Sequence, residues 1–226
     1  MIAGRGAMLI TSLNAQPFGA TGILLFSGGL DSTAVGYALR QLSKEVIALS
    51  INYPGRPRRE FMLARQVSKE LGFLDLVEVD LVLPQRALRG EPGSPNEGWF
   101  PHRNMLFVSL AAHIAVVRRA TFVAAGNVFS DRKVFTDAHH DFFSGLDALV
   151  NLARGGSASG ERLDLVLPLL EEDSFVVTRP EDAKAIRKLV SRTWSCWRDS
   201  KRPCGRCAAC NERRAFLQEF KNTGAL

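Results

Sequence analysis

Outside one short C-terminal stretch this chain has no cysteine, for the whole complement is Cys196, Cys204, Cys207 and Cys210. If all four serve as metal ligands, no thiol is left to act as a nucleophile, and much cysteine chemistry is excluded. No apolar run approaches the ~20 residues a membrane-spanning helix needs, which argues against a membrane protein. The first twenty residues hold one Arg and a short apolar patch, weak for a signal peptide, and Met8 is a second candidate start. The chain reads as a cytoplasmic, soluble protein. It has no G-x-x-x-x-G-K-[ST] segment, which excludes the kinase-type phosphate loop. There is no internal repeat and no low-complexity tract. Charged residues at 23% and hydrophobic residues at 46% argue against global disorder, and 226 residues can bury one substantial core.

The cysteines follow the spacing C-x7-C-x2-C-x2-C. Two interlocked C-x2-C turns can aim three thiolates at one point, and a fourth from the preceding loop closes a tetrahedron around structural Zn2+. An iron–sulfur cluster also takes four cysteines, and disulfides are a third alternative. The formal net charge is +6. Part of the excess lies around the cysteines, where Arg192, Arg198, Lys201, Arg202, Arg206, Arg213 and Arg214 face only Asp199 and Glu212. Such a lobe can neutralise phosphates of ATP or RNA or an acidic protein surface, or it is simply a solvated face.

Short β-type runs alternate with longer helical patterns, which predicts an α/β fold with a Rossmann-like parallel sheet covered on both faces. Strands are expected at 22–26, 46–51, 74–81, 121–125 and 163–167, and helices at 32–42, 58–71, 103–118, 142–153 and 211–220. Residues 84–101, rich in Pro and Gly, read as a loop or lid, and 155–160 (GGSASG) as a turn. The expected division is an ATP-binding domain over 1–190 and a C-terminal zinc-binding lobe over 191–226.

Ser27-Gly28-Gly29-Leu30-Asp31-Ser32-Thr33 follows the first apolar strand and opens the first helix. The glycines let the backbone turn sharply, the hydroxyls of Ser27, Ser32 and Thr33 add donors, and the helix start favours an anion. A phosphate or pyrophosphate is the natural occupant, with Asp31 coordinating Mg2+ or orienting the loop. The alternative is an N-capped helix after a glycine turn.

This SGGLDST block resembles the SGGxDS signature of the PP-loop ATP pyrophosphatases, which split ATP to AMP and pyrophosphate while adenylating a substrate. Three further blocks narrow the resemblance to the 7-cyano-7-deazaguanine synthase (QueC) family. Asn52-Tyr53-Pro54-Gly55-Arg56-Pro57-Arg58-Arg59-Glu60 is similar to its DYGQRHxxE, and Phe100-Pro101-His102-Arg103-Asn104 to its VPxRN. Thr193-Trp194-Ser195-Cys196-Trp197 with Cys204-Gly205-Arg206-Cys207-Ala208-Ala209-Cys210 and Arg213 resembles its cysteine-rich end. The resemblance implies a ligase that uses ATP, Mg2+ and ammonia to turn 7-carboxy-7-deazaguanine into an amide and then a nitrile through an acyl-adenylate. It implies catalytic roles for Asp31, Ser32 and Arg103, and ATP contacts from Ser27, Gly28, Gly29, Leu30, Asp31, Ser32, Thr33 and Arg56. Asn104 binds substrate or caps its helix. Trp99, Phe100, Phe135 and Phe142 are candidate stacking partners for the base or members of the core. A homodimer is the expected assembly.

Two departures stand out. The family's YPDCRxEF is here Phe135-Thr136-Asp137-Ala138-His139-His140-Asp141-Phe142, and a Lys beyond its TPL segment has Arg179 as the nearest counterpart. If that Lys assists dehydration of the amide, the reaction here stops earlier. Relatives in bacterial anti-phage systems join the deazaguanine acid to a protein amine, so a partner protein is the alternative acceptor. His139 and His140 are then either the base that deprotonates that amine or two polar residues at a helix start. Two further alternatives are a non-catalytic zinc module that binds nucleic acid and a thiol-transferring PP-loop enzyme, the second of which lacks a spare cysteine.

Overall fold

A computed structural model describes residues 19–42, 44–84, 100–128, 131, 135–153, 162–170 and 180–222. The turn expected at 155–160, the interior of the loop expected at 84–101, and Met8, Trp99 and Arg179 lie outside the described residues. Five strands form one parallel sheet: β1 (Thr21–Leu25), β2 (Glu45–Asn52), β3 (Asp75–Asp80), β4 (Phe122–Ala124) and β5 (Asp164–Val166), in the order β3-β2-β1-β4-β5. Ile23 on β1 is level with Ile47 on β2 and Val123 on β4, and Val123 is level with Leu165 on β5. The central strands are buried on both faces, which is why they read as unbroken apolar runs and not as alternations.

Successive strand side chains point to opposite faces, so each strand feeds two cores. Leu24, Val46 and Ala48 pack with Val35 and Leu39 of α1 (Leu30–Gln41), Ala64 and Val67 of α2 (Arg58–Glu70), and Ile186. Ile23, Ile47 and Val123 pack with Val108 and Ala111 of α3 (Arg103–Arg118) and Phe143 and Leu146 of α4 (His140–Ala153). A short 3-10 turn, Thr136–Ala138, precedes α4. The last strand is tied to α4 by Asn151, whose amide donates to the Leu163 carbonyl at 3.0 Å while its Oδ1 accepts from the Leu163 N–H at 2.9 Å. Buried Asp147, one turn earlier, pairs with Arg162.

Two elements differ from the expectation. The helix α5 (Pro180–Ser191) was not anticipated, although Ala183, Ile186 and Val190 recur at helical spacing and Pro180 stands at its first position. The last helix, α6 (Ala208–Asn222), starts three residues before the expected position. Its first turn is the final C-x2-C itself: the amides of Cys210 and Asn211 donate to the Cys207 carbonyl at 3.0 and 3.1 Å. A C-x2-C turn and a helix start share the same backbone bonds here, so composition alone does not separate them. No helix among the described residues is long and apolar enough to cross a membrane.

From β1 the chain moves outward to β2 and β3 and then returns to β4 on the other side. The loops leaving β1 and β4 therefore diverge and open a crevice at the carboxyl ends of these strands, where open α/β sheets bind ligands.

Candidate active site

The glycine-serine turn lies at that crevice. Gly28 has φ +78°, and a Cβ there would stand 2.7 Å from the Ala64 Cα, so the turn requires glycine for its conformation and for close packing on α2. The Ser27 hydroxyl accepts from the Gly29 amide at 3.0 Å and lies 3.1 Å from the Ser32 hydroxyl. From the β4 side Gly126 closes in: a Cβ there would be 2.9 Å from the Ser32 nitrogen. Thus the start of α1 is held between α2 and the loop after β4. Thr33 is buried, and its hydroxyl has no hydrogen-bond partner among the described residues.

Arg56 is buried and anchors the turn. Its guanidinium donates to the Ile51 carbonyl at 2.6 Å, the Ser50 hydroxyl at 3.1 Å and the Ser27 carbonyl at 2.5 Å. Arg103 opens α3 after His102, which takes a left-handed φ of 61°. The aspartate Asp137 fixes that helix start, accepting from the Asn104 amide at 3.2 Å, while the Asn104 side chain donates to the Asp137 carbonyl at 2.7 Å. Asn104 therefore joins α3 to the 3-10 turn and also faces the crevice. Burial pushes the Tyr53 hydroxyl above its ordinary range against the pull of nearby Arg103, so it stays a donor at neutral pH.

Two cavities meet here. The first, about 220 Å3, is lined by Ser27, Asp31, Ser32, Arg56, Arg103 and Asn127 among others, and among the described residues none beyond 127 contributes. The second, about 460 Å3, also contains Ser27, Asp31 and Arg103, with Gly29 and Leu30, but takes Trp194, Ser195 and Trp197 from the cysteine-rich segment. Tyr53 is common to both. Gly28 and Thr33 line neither, since one packs on α2 and the other is buried in α1. His139 and His140 are exposed and line neither; His140 lies 3.5 Å from the Ser144 hydroxyl and 3.8 Å from Asp141 in the first turn of α4. Their position is that of polar residues at a helix start. Of the candidate stacking rings, Phe100 is buried against Tyr53 and Phe107, Phe142 packs on Phe143, and Phe135 lines the second cavity.

Sequence reasoning missed Glu60 as a site residue, though it stands in a quoted motif. This carboxylate reaches back over the turn, so that a Cβ on Gly29 would lie 3.7 Å from its Oε1. Burial raises its pKa above the usual carboxylate range, opposed by Arg56, by Ser27 and by Arg103. A raised carboxyl pKa makes the native state hold its proton to higher pH than the unfolded chain does. Stability is therefore lost as pH rises from the unfolded value through the folded one. Glu60→Gln is expected to raise Tm over the parent more at about pH 8 than at about pH 5. An equal difference at both values in thermal melts would refute this.

The four cysteine sulfurs lie within 4.8 Å of one another, with Cys204 and Cys210 4.0 Å apart, and none is in a disulfide. A tetrahedron with metal–sulfur bonds of ~2.3 Å has sulfur edges of about 3.8 Å, so the set fits a single ion after a small contraction. An iron–sulfur cube places each thiolate on a different iron and would hold the sulfurs further apart. Cys204 is brought down to about 6 by the amides of Arg206 and Cys207, whereas burial pushes Cys210 up to about 12. Part of the surrounding positive charge is used within the protein. Arg213 bonds to Thr193 and the Val190 carbonyl, Arg192 pairs with Glu70, and Arg214 donates to the Gly205 carbonyl at 2.6 Å.

A parallel sheet of this order, with the glycine-serine turn at its switch point and a four-cysteine cluster after it, has the α/β, Rossmann-like form expected from the sequence. A family model described as "Queuosine biosynthesis protein QueC" matches residues 21–221, and the chain belongs to that family. It is 28% identical over 215 residues to a 7-cyano-7-deazaguanine synthase of Prochlorococcus marinus (strain NATL1A), covering 88% of this chain and 94% of that one. It is 31% identical over 213 residues to the enzyme of the same name from Parasynechococcus marenigrum (strain WH8102), covering 88% and 93%. Among solved structures, the U34-tRNA thiolase NcsA from Methanococcus maripaludis with its [4Fe-4S] cluster superposes with a TM-score of 0.48 at 14% identity, covering 91% of this chain and 72% of that one.

Proposed function

We infer that the chain is an ATP-dependent ligase that activates 7-carboxy-7-deazaguanine as an acyl-adenylate and passes the acyl group to an amine, giving the amide and then the nitrile. The observation that carries this reading is the junction of two cavities at Ser27, Asp31, Tyr53 and Arg103. One cavity suits the nucleotide and the larger one the acid, so the α-phosphate and the carboxylate would meet beside Arg103. Family membership and the name of the relatives support a deazaguanine substrate and the nitrile product.

In the first step a carboxylate oxygen bonds to the α-phosphorus and the bond to pyrophosphate breaks. Ammonia then attacks the acyl carbon, AMP leaves with the electron pair, and a proton is released. A carboxylate alone is a poor electrophile, and AMP supplies the leaving group. Conversion of the amide to a nitrile takes a second ATP: the amide oxygen bonds to its α-phosphorus as pyrophosphate leaves, and AMP then departs with that oxygen while the nitrogen loses its two protons. Arg103 offsets the repulsion between the two anions, the amides of the turn hold the departing pyrophosphate, and protonated Tyr53 donates at the junction. Asp31 would hold Mg2+, which neutralises phosphate charge when bound. The four cysteines would hold Zn2+ in a closed set of thiolates with no position for a water, which is a structural role.

The test is incubation of the purified protein with the acid, ATP, Mg2+ and ammonium. Release of AMP and pyrophosphate that depends on the acid is expected, with the nitrile as end product. Absence of acid-dependent AMP refutes the reading. An amide that accumulates would mark arrested chemistry, and mass added to a co-expressed protein would mark a protein amine as the acceptor.

A further inference from the structure

Trp197 directly follows Cys196 and lines the second cavity, where it is partly buried. The other rings of that cavity are engaged. Tyr53 packs with its centroid 5.8 Å from Phe100 and 5.5 Å from Phe107. The Arg103 guanidinium covers Phe135 at 5.6 Å. Trp194 has Arg59 over its ring at 5.2 Å and donates Nε1–H to the Cys196 carbonyl at 2.7 Å. Among the described residues, Trp197 alone of these four has no ring, guanidinium or side-chain hydrogen-bond partner. Aromatic faces are normally matched, and an indole N–H withdrawn from water normally finds an acceptor. Among the described residues, Trp197 is thus the ring of this cavity wall without a recorded partner.

We propose that Trp197 is the ring on which the base of the acid substrate stacks, so that the residue beside the first cysteine of the cluster sets recognition of the acid and not of the nucleotide. This rests on the adenylating reading above. A deazaguanine is a flat, fused bicycle whose faces gain little from water and much from an aromatic plane. Stacking at Trp197 fixes the plane of the base within the cavity that contains Arg103, and leaves the carboxylate to turn toward that guanidinium. The nucleotide cavity, whose described lining ends at Asn127, does not contain this ring. Its position is set by the cluster: Cys196 is buried, and its sulfur accepts from the Cys204 amide at 3.3 Å.

The experiment is calorimetric titration of the metal-loaded protein with 7-carboxy-7-deazaguanine in the presence of a non-hydrolysable ATP analogue, and with the analogue alone. Trp197→Ala is expected to weaken acid binding roughly 5- to 150-fold, the usual range for loss of one base–aromatic stack, and to leave analogue binding and metal content unchanged. Trp197→Phe restores most of the affinity, whereas Trp197→Leu, apolar but without a π face, does not. Unchanged acid affinity in Trp197→Ala overturns the proposal, as does equal recovery by Leu and Phe. A parallel loss of analogue binding overturns it too, since that marks a structural role. If the parent protein binds no acid, the ligase reading falls first and takes this proposal with it. A parent that binds the acid while Trp197→Ala binds it equally well sinks the stacking role alone.

Discussion

Arg103→Ala is expected to lower kcat for acid-dependent AMP release by ~10²–10³, the loss seen when one preorganised donor to a developing charge is removed. The reason is electrostatic. Adenylation brings a carboxylate against a polyanionic triphosphate, and two unit charges ~4 Å apart in a protein-like dielectric repel by about 4 kcal/mol. Among the described residues Arg103 is the guanidinium common to both cavities, and it is not committed to backbone carbonyls as Arg56, which lines only the first, is. Its place is set from behind, by Asp137 on the start of α3 and by the left-handed His102. Arg103→Lys keeps the charge and loses the planar fork, so it should recover part of the rate. Single-turnover measurement of AMP formation checks this, and an undiminished rate in Arg103→Ala would remove Arg103 from the mechanism.

Loss of the metal is the second large effect. Cys210→Ser takes one ligand from the set, and the remaining three cannot close the tetrahedron. Binding of a structural zinc carries ~10–16 kcal/mol of apparent folding energy in small zinc domains, comparable with the 5–15 kcal/mol that stabilises a whole domain. The core behind the cluster is slight, with Trp194, Cys196 and Cys210 buried and Leu63, Cys204 and Cys207 packed on them. The variant should lose its bound metal, exchange amide hydrogens rapidly from Thr193 to about Gln218, and lose acid-dependent turnover. Binding of an ATP analogue should persist, because the first cavity takes nothing from this segment. Mass spectrometry for metal content and for hydrogen exchange reads both halves. Acid turnover that survives complete metal loss would show that the segment does not shape the acid site.

The helix expected at 103–118 has those bounds in the structure, since His102 and Arg119 both turn left-handed and end the pattern sharply. The expected strands lie within a residue or so of those observed, because strands buried on both faces leave apolar runs that stand out. The clustering of the four cysteines was legible because thiol spacing carries its own geometry. Glu60 and Trp197 were not. Nothing local distinguishes a glutamate in a helix's first turn from one that leans over a phosphate loop, or a tryptophan beside a cysteine from a core tryptophan. Asn104 was left between binding substrate and capping its helix; the N-cap position belongs instead to His102, with no side-chain cap, while Asn104 donates to the Asp137 carbonyl and faces the crevice.

The amino-acid order by itself determined the parallel sheet, the glycine-serine turn after its first strand and the cysteine set, since each depends on periodicity or spacing over a few residues. Only the tertiary structure decided that the cysteine-rich segment walls the larger cavity and that Arg103 stands where the two cavities join. Those facts depend on residues far apart in the chain, Arg59 reaching the Lys201 carbonyl at 2.9 Å and Gly126 closing on Ser32, and such contacts come from packing and not from any local pattern.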